Sequence, residues 1–161
     1  MNTENKILSL AEARDLSGEW RGLGESIVLA NGCFDILHVG HLRYLQAARA
    51  LGSRLIVAVN DDESVRALKG SGRPILSAAE RARLLAALRA VDAVVIFSTP
   101  TVAPLLEALR PAIHAKGTDY TRDSIPERAA AERLGIQGAI AGDPKHHATR
   151  ELLAEIRRRG H

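Results

Sequence analysis

Asn31-Gly32-Cys33-Phe34-Asp35-Ile36-Leu37-His38-Val39-Gly40-His41 is the stretch that decides the fold. Before it stands Ile27-Val28-Leu29-Ala30, a short apolar run that reads as a buried strand. After it, Val39 to Leu51 places Leu42, Leu45 and Ala48 on one helical face. The stretch is therefore the turn of a strand–turn–helix unit. It has neither the G-x-G-x-x-G of a dinucleotide fingerprint nor the Gly-Lys-Ser/Thr of a P-loop. Instead it carries His38 and His41, three residues apart and so on one face of the helix they open. A helix N-terminus presents free N–H groups and positive potential, which suit phosphate. Two imidazoles beside those donors suit a polyphosphate, and Gly40 lets it approach the backbone. Zinc is disfavoured, because two histidines without a cysteine pair fall short of a ligand set.

Working outward, the same alternation repeats. Leu55–Val59, Ala93–Phe97, Ala112–Ala115 and a weaker run from Ile136 to Ala141 read as strands. Between them, Glu63–Leu68, a helix from the Ser77 cap to about Ala90, and Val102–Leu109 read as helices. Ser124 reads as the cap of a further helix, with Pro126 near its start. Ala148 to Arg159 reads as the last helix, with Leu152, Leu153 and Ile156 facing inward. Lys69 to Leu76, with two glycines and a proline, is a loop. Strands alternating with helices predict an α/β, Rossmann-like, doubly wound parallel sheet of five strands with helices on both faces. The expectation is one domain over residues 1–161, with residues 1–24 a polar start plus a helix around Leu10 to Trp20. Ligands in such a sheet bind outside the carboxyl ends of the strands.

Bulk composition narrows the class. A net charge of +3 suits a small anionic ligand better than a nucleic acid, and an aromatic fraction of 3% offers no platform for stacked bases. Arg157-Arg158-Arg159 reads as a helix end favoured by the macrodipole. No apolar run approaches the ~20 residues of a membrane span. The polar start lacks a signal-peptide core, and a single cysteine, Cys33, fits a reducing compartment. The expectation is a cytoplasmic protein that engages neither membrane nor nucleic acid.

Gly32-Cys33-Phe34-Asp35-Ile36-Leu37-His38-Val39-Gly40-His41 resembles the G-x-F-D-x-x-H-x-G-H signature of the cytidylyltransferase-like nucleotidyltransferases. The opening Asn31-Gly32-Cys33 resembles the D-glycero-β-D-manno-heptose 1-phosphate adenylyltransferase branch. So do Lys69-Gly70, Arg73-Pro74, Glu80-Arg81, Ala90-Val91-Asp92 and Lys116-Gly117-x-Asp119-Tyr120. The resemblance covers roughly residues 27–156. In many bacteria that activity is fused to a sugar kinase, so this chain resembles the stand-alone form.

The resemblance implies ATP and a sugar 1-phosphate as substrates, Mg²⁺ arriving with ATP, no resident metal, and a homo-oligomer. It places His38 and His41 on the triphosphate, the backbone of Gly32, Cys33 and Phe34 along the α-phosphate with Gly40 close by, and Lys69 against either phosphate. Lys116 and Asp119 fall beside the nucleotide. Asn60, Asp61 and Arg73 fall beside the acceptor, although Asp61 equally suits a helix start. The last helix usually opens with a Ser/Thr-rich phosphate-binding stretch. Here only Thr149 keeps a hydroxyl, Ala148 and Arg150 depart, and Arg150 and His147 stand in. Asp35 reads as a structural tie, Glu80 and Arg81 as an ion pair, and His114 as a buried neutral ring. The alternatives are a related cytidylyl- or adenylyltransferase for another acceptor, such as glycerol 3-phosphate, and a non-catalytic nucleotide sensor.

Overall fold

The computed structural model describes residues 2–144 and 148–160. Six parallel strands form one sheet: β1 (Ile7–Leu8), β2 (Ile27–Gly32), β3 (Arg54–Asn60), β4 (Ala93–Phe97), β5 (Ile113–Lys116) and β6 (Gln137–Ile140). Their order is β1-β4-β3-β2-β5-β6. Winding runs outward from β2 in both directions, so the topological switch point lies between β2 and β5.

The helices are α1 (Leu10–Gly22), α2 (Val39–Ala50), α3 (Asp62–Lys69), α4 (Ala78–Ala86), α5 (Ala103–Leu109), α6 (Arg128–Arg133) and α7 (Thr149–Arg159). Strand residues alternate between the two faces, which splits the core in two. On one side Leu29, Ile56, Ala58 and Val95 pack with Ala13 and Trp20 of α1, Leu105 and Leu106 of α5, and Ala131 of α6. On the other Val28, Val57, Val59 and Val94 pack with Leu45 and Ala48 of α2 and Leu85 and Ala86 of α4.

Four details differ from the sequence reading. The sheet has a sixth strand, β1, inside the segment expected to be a polar start. It pairs Ile7 with Val94 and Leu8 with Val95, and runs directly into the Ser9–Glu12 capping box of α1. Ser124 does not cap a long helix. Its hydroxyl accepts from Thr121 N–H and donates to Thr121 C=O, closing a 3₁₀ turn, and α6 starts only at Arg128. The helix after Ser77 stops at Ala86 rather than near Ala90. Finally, α7 buries no residue fully, and Ile156 is 63% exposed rather than inward.

Candidate functional site

A cavity of about 910 Å³ opens at the carboxyl ends of the strands, over the switch point. Its walls include Asn31, Gly32, Cys33 and Phe34 from the end of β2, and His38, Gly40 and His41 from the start of α2. Phe34 turns the chain with a left-handed φ of 48°, and its ring lies 3.2 Å from where a Cβ on Gly32 would stand. A side chain at Gly32 would therefore push Phe34 out of place.

His38 is the N-cap of α2, and its Nδ1 accepts from the Gly40 N–H at 3.1 Å. An accepting Nδ1 leaves Nε2 as the protonated nitrogen of the neutral ring. The rings of His38 and His41 stack with centroids 3.9 Å apart, and Phe34 meets His41 edge-on at 5.3 Å. Tyr44 OH donates to Ala115 C=O at 2.7 Å, fastening α2 to β5. The two imidazoles thus hold fixed positions at the start of a helix.

Asp35 is buried, as befits a structural tie. Its carboxylate accepts from Ile75 and Leu76 N–H and pairs with Arg73 Nε at 2.5 Å. Burial alone would raise its pKa. The donors from Leu76, Arg73 and Ile75 outweigh that and hold it below the ordinary carboxylate range. Arg73 lines the cavity, but its guanidinium is already paired with Asp35.

Arg81 overturns the expected pair with Glu80. Glu80 completes a capping box with Ser77. Arg81 is fully buried and donates to Cys33 C=O at 2.6 Å, Asn60 C=O at 2.7 Å, Leu76 C=O at 3.0 Å and Asp62 Oδ1 at 2.8 Å. One guanidinium therefore ties the carboxyl ends of β2 and β3 to the 70–77 loop. Nothing in residue spacing announces this role, because three of its four partners are main-chain carbonyls.

The remaining expected residues divide. Asn60, Lys69, Lys116, Asp119, Thr149 and Arg150 line the cavity. Lys69 is the last residue of α3 rather than part of the loop. Asp61 does not line the cavity; it caps α3, accepting from Ser64 N–H at 2.8 Å. Thr149 spends its hydroxyl on Ile36 C=O at 3.3 Å, which ties the start of α7 to the β2–α2 turn. Ala148 gives α7 no side-chain cap. His147 lies outside the described residues. Burial raises the Cys33 pKa, so this wall presents a thiol rather than a thiolate.

Behind β2 and β5 lies a buried polar group. His114 is fully buried, and its Nε2 meets Asn31 Oδ1 at 2.9 Å. An acceptor there makes Nε2–H the donor. Burial first, then the Lys116 charge, lower its pKa to about 4, against the pull of Glu127. A histidine with a depressed folded pKa adds stability above its unfolded value, near 6.5, and loses it as pH falls toward 4. The unfolding free energy from urea titrations is expected to drop between pH 7 and pH 5, by on the order of 2 kcal/mol for this group. In His114→Gln the drop should be visibly smaller; an equal drop in both proteins removes His114 as the cause.

The sequence profile of the cytidylyltransferase-like family matches residues 29–158, a span that includes both histidines and the start of α7. The chain belongs to this family of nucleotidyltransferases. The chain is 54% identical over 148 residues to the "Bifunctional protein HldE" of Koribacter versatilis, covering 92% of this chain and 30% of that one. Against the protein of the same name from Methylobacillus flagellatus it is 44% identical over 152 residues, covering 94% and 31%. It thus spans about a third of the length of these relatives. Among solved structures, the lipopolysaccharide core biosynthesis protein of Thermoplasma volcanium superposes with a TM-score of 0.65 at 25% identity, covering 76% of this chain and all of that one. No helix among the described residues is long and apolar enough to cross a membrane.

Proposed function

We propose that the chain transfers the adenylyl group of ATP to D-glycero-β-D-manno-heptose 1-phosphate, giving ADP-heptose and pyrophosphate for lipopolysaccharide core precursors. The observation that carries this reading is the stacked His38–His41 pair at a helix start, inside a large cavity at the switch point. The chemistry supported by that geometry is placement and charge stabilisation. An oxygen of the acceptor phosphate attacks the α-phosphorus in line. The new P–O–P bridge forms as the α–β P–O bond breaks, and pyrophosphate leaves with the bonding pair. The acceptor phosphate is already ionised near neutral pH, so the step requires no general base.

In this reading His38 and His41 donate to the departing phosphates, and the Gly32–Phe34 backbone follows the α-phosphate. Lys69 and Arg150 add positive charge, and Lys116 and Asp119 flank the nucleoside. Asn60 faces the acceptor. Arg73 acts through Asp35, holding the turn. Mg²⁺ would arrive with the triphosphate. When bound it neutralises charge on the leaving group. The match to about a third of proteins named as bifunctional agrees with one activity of a fused enzyme.

Pyrophosphate release is the test. ATP, CTP, GTP and UTP are each offered with heptose 1-phosphate, glycerol 3-phosphate and phosphopantetheine. Turnover is expected with ATP and β-heptose 1-phosphate alone. Turnover with another pair replaces the substrate assignment, and silence across the panel favours a nucleotide sensor.

A further inference from the structure

Glu127 has no part in the sequence motif, yet it is the buried carboxylate that opens onto the cavity from the α1/α5/α6 side of the sheet. It stands at the N-cap position of α6, where an acidic side chain would ordinarily accept from its own helix, and it makes no such bond. The side chain turns away instead. Its Oε1 accepts from Val102 N–H, at 3.3 Å, in the connection between β4 and α5. Its Oε2 is buried and has no hydrogen-bond partner among the described residues, although the residue lines the cavity and is only 6% exposed. Leaving a buried carboxylate oxygen without a donor is costly, so a site that does so holds an acceptor ready for a donor brought by a ligand.

The charge of the side chain says which part of the ligand that is. The histidine pair sits over β2. Residues from β5 and from the end of β6, such as Lys116 and Gly142, line one flank of the cavity; Asn60 of β3 and Phe97 of β4 line the other. The bond to Val102 ties the Glu127 carboxylate to the connection that leaves β4, and its charge reaches His114 and Lys116 of β5, so it stands between the two flanks. A carboxylate repels phosphate and attracts hydroxyl donors, whereas the cations that line the cavity do the reverse.

We propose that Glu127 is the residue that binds the sugar hydroxyls of the acceptor, so that this part of the cavity takes a polyol and selects for it. The assignment rests on the adenylyltransferase reading, since it presumes a phosphorylated polyol as second substrate. Lys116, close by, is buried, with its Nζ 4.4 Å from the Tyr120 ring centroid, and burial lowers its pKa against the pull of Glu127.

The test is Glu127→Gln in the full chain, which keeps the shape and exchanges the anionic acceptor for an amide. KM for heptose 1-phosphate is expected to rise about tenfold or more, with KM for ATP unchanged within about twofold. The ratio of the two KM values does not depend on how much of the variant is folded, so reduced stability does not blur the reading. Glu127→Asp, which keeps the charge but shortens the reach, is expected to fall between. Among singly deoxygenated heptose 1-phosphates, the analogue lacking the bound hydroxyl should distinguish wild type from Glu127→Gln least. Equal rises in both KM values would assign Glu127 to the ribose or to the scaffold, and no rise would remove it from the site; either overturns the proposal. If wild type instead uses another polyol phosphate, the heptose reading falls and the same ratio is measured on that acceptor. If wild type neither turns over nor binds, by calorimetry with α,β-methylene-ATP present, any polyol phosphate of the panel, both readings fall together.

Discussion

Turnover is expected to fall about 10²- to 10³-fold when His41 is replaced by alanine, the loss typical of removing one donor aimed at developing charge. His41 is held from both sides, by the His38 ring at 3.9 Å and the Phe34 edge at 5.3 Å, so its donor is already in place before the triphosphate arrives. His38 needs a more careful substitution. Its Nδ1 caps α2 through Gly40 N–H, so alanine would remove a cap worth about 1 kcal/mol along with the phosphate donor. His38→Asn keeps a capping oxygen and loses the outer ring nitrogen. Pyrophosphate release by His38→Asn should therefore drop by a factor similar to that for His41→Ala, with a thermal midpoint close to wild type. If both variants kept turnover within a few-fold of wild type, the histidine pair would have no role in charge stabilisation.

Arg81→Met is expected to destabilise the protein by about 3–5 kcal/mol, the cost of removing one partner from a fully buried charged network. The methionine fills the aliphatic stem but leaves Cys33, Asn60 and Leu76 carbonyls and the Asp62 carboxylate without their donor. For a chain of this size that corresponds to a fall in thermal midpoint of roughly 10 °C or more. Arg81→Lys should recover little, because an ammonium cannot fork toward four acceptors in one plane. Differential scanning calorimetry decides it; a midpoint within about 2 °C of wild type would mean that water replaces the guanidinium without loss. Activity should fall as well, since Cys33, just past β2, and Asn60, the end of β3, line the cavity.

What could be read from the sequence was what local pattern encodes. Ala93–Phe97 has the same limits in the sequence reading and in the structure, because a five-residue apolar run between turns leaves little choice. The histidine turn was legible for the same reason: its residue types and spacing are confined to one strand–helix junction. What escaped notice depends on partners distant in sequence. Two residues cannot show a period of two, so β1 could not be seen next to the Ser9 cap. Arg81 reads as half of an Glu–Arg pair until the ends of β2 and β3 are seen to close on it. Ser124 has the chemistry of a cap but binds backward to Thr121. Glu127 carries no motif, and the N–H it serves, on Val102, lies 25 positions away.

The short pairing of Ile7 and Leu8 with β4 also shapes how the protein survives outside its folded state. Val94 and Val95 belong to an apolar run, Ala93–Phe97, that has β-branched residues and no charge. Such a run with an open edge templates strand addition between copies. A segment of two residues, anchored behind by the capped α1, covers the middle of that edge. The protection against aggregation at this side of the sheet thus resides in the first few residues of the chain, well before the turn that carries the chemistry.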